Sequence, residues 1–177
     1  PDLMYMNNGD GTFREVAAEA GLPGFQDNTH STLSDFDRDG DLDIWVSPNF
    51  GFLPQVYRND TVTSNTWLSV TVEGTTSNRP GIGARVYVEA DTNGDGETIR
   101  ADGERQMREI SANTSWGGHN EILAHFGLGK AQEVDSLVIK WPSGLMETFD
   151  SGGVNKYFHA VEGEGDEMTT GTLWLVQ

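Results

Sequence analysis

The stretch Asp35–Asp43 reads DFDRDGDLD and runs straight into the apolar segment Ile44-Trp45-Val46. Five aspartates occupy alternate positions within nine residues, with Gly40 among them. Two like charges about 4 Å apart repel by about 1 kcal/mol in water and by about 4 kcal/mol near a protein surface. A loop that gathers this many carboxylates is costly unless a cation sits between them. Hard oxygen donors at alternate positions, with a glycine where the chain turns sharply, are what Ca²⁺ asks for. Asp35, Asp37, Asp39 and Asp43 are the expected side-chain ligands, and the Asp41 carbonyl the expected backbone ligand. A helical EF-hand needs a glutamate at its twelfth loop position, and counting from Asp35 that place is Val46. The loop is therefore short, closed by its ninth residue and followed by a strand. The competing reading is a solvated acidic turn, which leaves the repulsion without a counter-charge.

Excess acid runs through the whole chain. Its 177 residues hold 28 Asp and Glu against 11 Lys and Arg, a formal charge of −17, with a pI near 4.3. Nucleic acid and anionic membrane surfaces require a basic face, so neither is an expected partner. Two bound Ca²⁺ ions would bring the charge to about −13. Cysteine is absent, which excludes disulfides and thiolate metal sites. No apolar run approaches the roughly 20 residues needed to cross a bilayer, so membrane insertion is not expected. The length suits one or two domains with a real core. Pro1 opens the chain without an initiator Met or a signal peptide, as in a processed or partial chain.

Twenty-two glycines, short alternating apolar segments and frequent turn signals predict an all-β protein. Leu3–Met6 and Thr12–Ala17 read as strands around the tight turn Asn8-Gly9-Asp10-Gly11. Ala17–Ala20 reads as one helical turn stopped by Gly21 and Pro23. His30–Ser34 enters the aspartate loop and Leu42–Ser47 leaves it, with Leu42, Ile44 and Val46 on one face and Asp43 on the other. Gln55–Arg58 is a short strand, and the polar stretch Thr61–Thr66 marks a domain boundary. Beyond it, Leu68, Val70 and Val72 point inward from Trp67–Glu73, and Ala84, Val86, Val88 and Ala90 repeat the pattern. Gln106–Ile110, Glu121–Leu128, Val134–Trp141, Leu145–Phe149 and Tyr157–Val161 bring the set to about seven strands, which suits a two-sheet sandwich. Glu162–Glu167 reads as an acidic turn and Thr172–Gln177 as a last apolar strand. The first 60 residues cannot cover their own apolar faces, because stacked repeat units need neighbours. Further units, the sandwich or another subunit must supply the cover.

NNGDGTFREVAAEAGL followed by DFDRDGDLDIWV resembles the FG-GAP/VCBS repeats of secreted β-propellers, in which the aspartate loop binds calcium between two strands of a blade. The later elements YRND, TWLSVTVEGTTSNRPGIGARVYVEA, REISA and AHFGLGKAQEVDSLVIKWPSG resemble the ASPIC/UnbV domain. The resemblance covers Pro1–Glu162 and is carried most specifically by HFGLG (His125–Gly129) and WPSG (Trp141–Gly144). It implies a partial propeller-type repeat over 1–60 packed on a β-sandwich over 61–164, with a C-terminal strand in 165–177. It also implies an extracellular, calcium-binding, adhesion- or matrix-type role and no catalysis. Two departures stand out: little more than one repeat is present, and Asp91–Glu104 is inserted where the family has a short connection.

That insert reads DTNGDGETIRADGE. Asp91, Asn93 and Asp95 take loop positions 1, 3 and 5, Gly96 takes 6, and the Glu97 carbonyl falls at 7. Asp102 stands at position 12, where its short side chain lowers the expected affinity. A second calcium site is expected there; the alternative is a glycine-rich hairpin tip with solvated charges. His30, His119, His125 and His159 are scattered without ligand spacing, and His125 is expected to bond backbone at a strand edge. Ser143 lies in a turn and lacks the GxSxG setting of a nucleophile. Trp45 and Trp174 read as core or interface, whereas Trp116, among glycines, is the candidate ligand contact. Asn59 and Asn113 sit in glycosylation sequons.

The expected function is a non-catalytic extracellular module whose calcium ions staple β-rich loops, with protein or glycan partners. The alternative is a calcium-dependent carbohydrate-binding module in which Trp116 stacks on sugar. Homo-assembly by strand addition through Leu173–Val176 is a further expectation, motivated by the uncovered faces.

Overall fold

The computed structural model describes residues 3–22, 28–48, 53–94, 96, 105–112 and 120–168. Among them are thirteen strands in four sheets and no helix. The chain divides into two compact units, Pro1–Asp60 with Asn113–Glu121, and Thr61–Ala112 with Ile122–Gln177.

In the first unit β1 (Tyr5–Asn7) and β2 (Phe13–Glu15) form a hairpin with Tyr5 opposite Glu15. Its tip is closed by side chains: Asn7 Oδ1 accepts the Gly9 N–H at 2.8 Å and Asp10 Oδ1 accepts the Thr12 N–H at 2.9 Å. A single turn follows, with the Ala20 N–H on the Val16 carbonyl at 2.9 Å, and Gly21 at φ 72° ends it. Strands β3 (Asn28–Ser34), β4 (Asp43–Pro48) and β5 (Gln55–Tyr57) make an antiparallel sheet in that order. Asn120 and Glu121 belong to this unit too. The Leu33 N–H donates to Asn120 Oδ1 and the Ser34 hydroxyl to Glu121 Oε2, both at 2.9 Å. They cover part of the exposed edge of β3, whereas the sequence assigns all of 61–164 to the sandwich.

The second unit holds β6 (Thr66–Glu73), β7 (Arg85–Glu89), β8 (Gln106–Glu109), β9 (Ala124–Gly129), β10 (Ser136–Lys140), β11 (Met146–Phe149), β12 (Lys156–Val161) and β13 (Asp166–Glu167). One sheet runs β13-β11-β10-β7-β8 and the other β12-β6-β9. The inward positions read from the alternation are where the core is: Leu68, Val70, Ala84, Val86, Val88 and Ala90 are at most 1% exposed, and Phe126, Leu128, Leu137 and Ile139 pack with them. Strand β12 pairs in parallel with β6, a partnership that alternation alone does not foresee. Thr172–Gln177, expected as a strand, lies outside the described residues.

The expected acidic turn at Glu162–Glu167 is present over 162–165, whereas Asp166 and Glu167 pair as β13 against β11. Glu162 within the turn is only 3% exposed. Glu162 Oε2 accepts the successive N–H groups of Thr75, Thr76 and Ser77 at 2.7–2.9 Å. Its Oε1 accepts the hydroxyls of Ser77 at 2.9 Å and Ser143 at 2.5 Å. Consecutive backbone amides form an anion-binding nest, here filled by the chain's own carboxylate. Glu162 follows β12, Ser77 lies between β6 and β7, and Ser143 turns β10 into β11, so one side chain ties the two sheets together. Ser143 of WPSG thus has a structural role in the turn expected of it.

Burial alone would raise the Glu162 pKa, but the donors from Ser143, Ser77 and Thr76 prevail and bring it down to about 2 from 4.5. A depressed carboxylate contributes stability that is complete above its unfolded pKa and disappears as the pH falls through its folded one. Urea unfolding followed between pH 7 and pH 2 should therefore show a loss of stability from about pH 4.5 downward that Glu162→Gln largely removes. The variant should be less stable at pH 7 and close to the parent at pH 2. Parallel curves for the two proteins would contradict the assignment.

Candidate metal centre

The aspartate loop is the connection between β3 and β4, whose register sets Ser34 opposite Asp43. The turn is made by Arg38 at φ 63° and Gly40 at φ 101°, on either side of Asp39. A left-handed conformation is costly for a side chain such as arginine and free for glycine. Strained positions of this kind persist where the surroundings over-determine them, often at ligand sites. The Gly40 N–H donates to Asp35 Oδ2 and the Asp41 N–H to Asp39 Oδ1, both at 2.9 Å, which wraps the loop inward.

The result is convergence of three carboxylates. One oxygen each from Asp35, Asp37 and Asp39 lies within 4.8 Å of the others, Asp35 buried and the other two exposed. Among the described residues this is the one group of three or more acidic or histidine side chains so arranged. Asp43 is not one of the trio and is 2% exposed. Its Oδ2 accepts the Phe36 N–H at 3.1 Å and its Oδ1 the Asn59 N–H at 2.8 Å. It therefore ties the first residues of the loop and the end of β5 to the head of β4. Asp41 contributes its N–H to Asp39. Three anionic oxygens, hard donors open to solvent on one side, suit a hard divalent cation that completes its shell with carbonyls and water. Arg58 lies nearby, 2.7 Å from Asp60 and 4.0 Å from Asp37.

In the insert, Asp91 turns its own loop. Its Oδ1 accepts the Gly94 N–H and its Oδ2 the Gly96 N–H, both at 2.8 Å. Asn93 is exposed, and Asp95, Glu97 and Asp102 lie outside the described residues. The insert packs against the end of HFGLG: the Lys130 N–H donates to the Thr92 carbonyl at 2.9 Å. Any Cβ at Gly129, where φ is 55°, would collide with that carbonyl oxygen. Asp135 also faces the insert, and burial, then Glu133 and Asp91, push its carboxyl up. Spacing along the sequence gave no sign of that neighbour, which comes from a different connection.

Two histidines sit across strands from hydroxyls. His125 Nδ1 is 2.9 Å from Ser69 Oγ, and His159 Nδ1 is 2.9 Å from Thr71 Oγ1. His125 also stacks on Trp67, with ring centroids 6.1 Å apart. His30 lies on β3. His119, Trp116 and Asn113 are outside the described residues, as is Trp174.

The ASPIC and UnbV family model matches residues 74–167, and the FG-GAP-like repeat model matches residues 2–46, which include the aspartate loop. The chain belongs to the ASPIC and UnbV family. It is similar to cartilage acidic protein 1 of Mus musculus, 29% identical over 146 residues that make up 81% of this chain and 21% of the relative. Cartilage acidic protein 1 of Homo sapiens gives the same 29% identity, over 81% of this chain and 20% of the relative. That of Xenopus tropicalis is 38% identical over 58 residues, 30% of this chain and 9% of the relative. This ASPIC and UnbV chain thus spans about a fifth of the length of its mammalian relatives.

The loop geometry gives a direct backbone test. Gly40→Ala should cost about 1–3 kcal/mol in urea unfolding with calcium present, since alanine does not tolerate that conformation. Arg38→Asn should be tolerated, because asparagine visits the left-handed region readily. Equal stability of the Gly40→Ala variant and the parent would refute the turn described.

Proposed function

We propose that the chain is a calcium-stapled β module of an extracellular protein, acting through architecture and binding rather than through catalysis. The observation that carries this is the convergence of Asp35, Asp37 and Asp39 at the β3–β4 turn. An ion there relieves the repulsion among the carboxylates and fixes the hairpin. Through Asp43 the same effect extends to β5, because its carboxylate holds both Phe36 in the loop and Asn59 beyond the strand. Extracellular modules bind Ca²⁺ with dissociation constants of about 10⁻⁴ to 10⁻³ M, the regime of a permanently filled staple. The matched relatives are named as cartilage proteins, which supports an extracellular setting. Protein or glycan partners there are part of the same proposal.

The reading extends to a second ion in the insert, held by Asp91, Asn93, Asp95, Glu97 and Asp102. Isothermal titration counts the ions: two per chain if the insert binds, one if the β3–β4 loop binds alone.

A ligand at ten times its dissociation constant adds about 1.4 kcal/mol to the folded state. For a unit of this size each kcal/mol moves the melting temperature by about 4–8 °C. Excess chelator should lower the melting temperature by at least one such step, and Asp39→Ala in calcium should reproduce most of the drop. A melt unmoved by chelator would end the stapling role.

A further inference from the structure

Between β5 and β6 the chain lies bare. Residues 58–65 form no strand, turn or bend, and residues 60–65 are all exposed. Val62 in their midst is 97% exposed, more than any other large apolar residue described. The stretch is pegged at both ends. Asp43 Oδ1 accepts the Asn59 N–H at 2.8 Å, and the Thr66 hydroxyl donates to the Ala131 carbonyl at 2.9 Å. Between the pegs, Lys130 Nζ donates to Ser64 Oγ at 2.6 Å and the Asn65 N–H to Thr63 Oγ1 at 3.2 Å. Both are exposed bonds that water replaces at little cost.

Exposed backbone outside the sheets, flanked by small polar side chains, is where proteases nick folded chains. A protease cleft takes such a segment in extended form, bonding its main chain and admitting side chains into pockets. Val62 offers a small aliphatic side chain, with Thr61 and Thr63 beside it. Its rivals are protected. Leu53 is 85% exposed, but the bond after it runs to the ring nitrogen of Pro54, which has neither the N–H nor the backbone freedom that cleavage sites need. Phe13, Trp45 and Met107 lie in strands whose backbones are already paired.

We propose that the Val62–Thr63 bond is a limited-proteolysis site for a serine protease of elastase type, whose pocket admits small aliphatic side chains. One water is consumed: the Val62 carbonyl carbon ends as a carboxylate and the Thr63 nitrogen as an ammonium group. The cut does not part the two units. The chain crosses between them three times, because Asn113–Glu121 belongs with Pro1–Asp60. After cleavage that segment stays on the C-terminal fragment, while its partners lie on the N-terminal one. The Leu33 N–H on Asn120 Oδ1 and the Ser34 hydroxyl on Glu121 Oε2, both at 2.9 Å, then hold two separate polypeptides together. The Glu121 N–H on the Leu33 carbonyl at 3.4 Å adds a third bond along the β3 edge. Processing here yields a nicked module closed by non-covalent bonds, and it needs no ion.

Pancreatic elastase acting on the full chain tests it, with intact mass and native size exclusion as readouts. A new C-terminus at Val62 and a new N-terminus at Thr63 should appear before any strand is cut, and the two pieces should elute together. Val62→Asp, at an almost fully exposed position, should slow that cut by about tenfold or more, since a small apolar pocket rejects a charge. Its urea unfolding should match the parent's, which separates loss of the site from loss of the fold. Sub-denaturing urea should leave the parental rate unchanged relative to that of a free peptide of residues 58–67, because the bond is open in the native state. Cuts within strands that precede this one, cleavage of Val62→Asp at the parental rate, or a relative rate that climbs with urea would overturn the site. Ser34→Ala combined with Asn120→Ala should weaken the hold between the cut pieces by about fivefold or more in a dilution series. Immediate separation of the parental pieces, or a hold that the double variant leaves unchanged, would overturn the docking between them.

Discussion

Apolar sheet faces gain about 25 cal/mol for each Å² withdrawn from water, and that gain dominates the stability of any β protein. The second unit obtains it internally by laying one sheet on another. Seventeen of the twenty buried apolar residues described lie there, from Leu68 to Ala160. The first unit buries only Val16, Ala17 and Val46, yet carries nine of the thirteen large apolar residues that stay exposed. With so small a core of its own, its strands depend on directional contacts: the Asx-type bonds of the β1–β2 tip, the cover from Asn120 and Glu121, and the inward-turned aspartates. The proposed cation would therefore matter more here than in the sandwich, because repulsion of a few kcal/mol is large against so little burial.

Both units use carboxylates where another protein would use disulfides. All five buried charged residues described, Asp35, Asp43, Glu89, Glu147 and Glu162, are acids. Four of them accept backbone amides. Glu147 receives the N–H groups of Gly163 and Gly165 at 3.0 Å, as Glu162 receives those of Thr75 to Ser77 and Asp43 those of Phe36 and Asn59. Asp35 receives Gly40. A charged acceptor makes each such bond stronger than a neutral one, and several donors together offset the cost of desolvation. Each of these acids joins segments that are separated in sequence or turn sharply, which is the work of a cross-link. Acidity in this chain is thus partly internal connection, and its −17 charge is not all solvated surface.

What could be read from the sequence follows from which forces are local. Alternation along Trp67–Glu73 and Ala84–Ala90 reports a half-buried strand because side-chain direction depends only on the neighbouring residues. The β3–β4 loop was legible for the same reason: its aspartates, its glycine and its turn all fall within nine residues. The burial of Glu162 within its turn was not legible, because its donors come from Ser77 and Ser143, 85 and 19 residues away, and nothing near an EGEGDE run distinguishes a buried acid from a solvated one. The parallel pairing of β12 with β6, and the grouping of Asn120 and Glu121 with the first unit, have the same non-local origin. Gly129 was visible only as part of HFGLG; its necessity comes from the Thr92 carbonyl, supplied by the insert.

The alternating pattern of the aspartate loop also separates two roles within nine residues. If ligands fall at every second residue, the residues between them are released from coordination but not from the backbone that coordination fixes. Arg38 and Gly40 spend that freedom on the turn. Phe36 spends it outward, on a groove shared with Trp45 and Val56. An EF-hand draws its ligands from a longer loop and passes the strain to flanking helices. A nine-residue loop between paired strands has no helix to move, so an ion held there as proposed would act on the hairpin itself and, through Asp43, on Phe36 and Asn59.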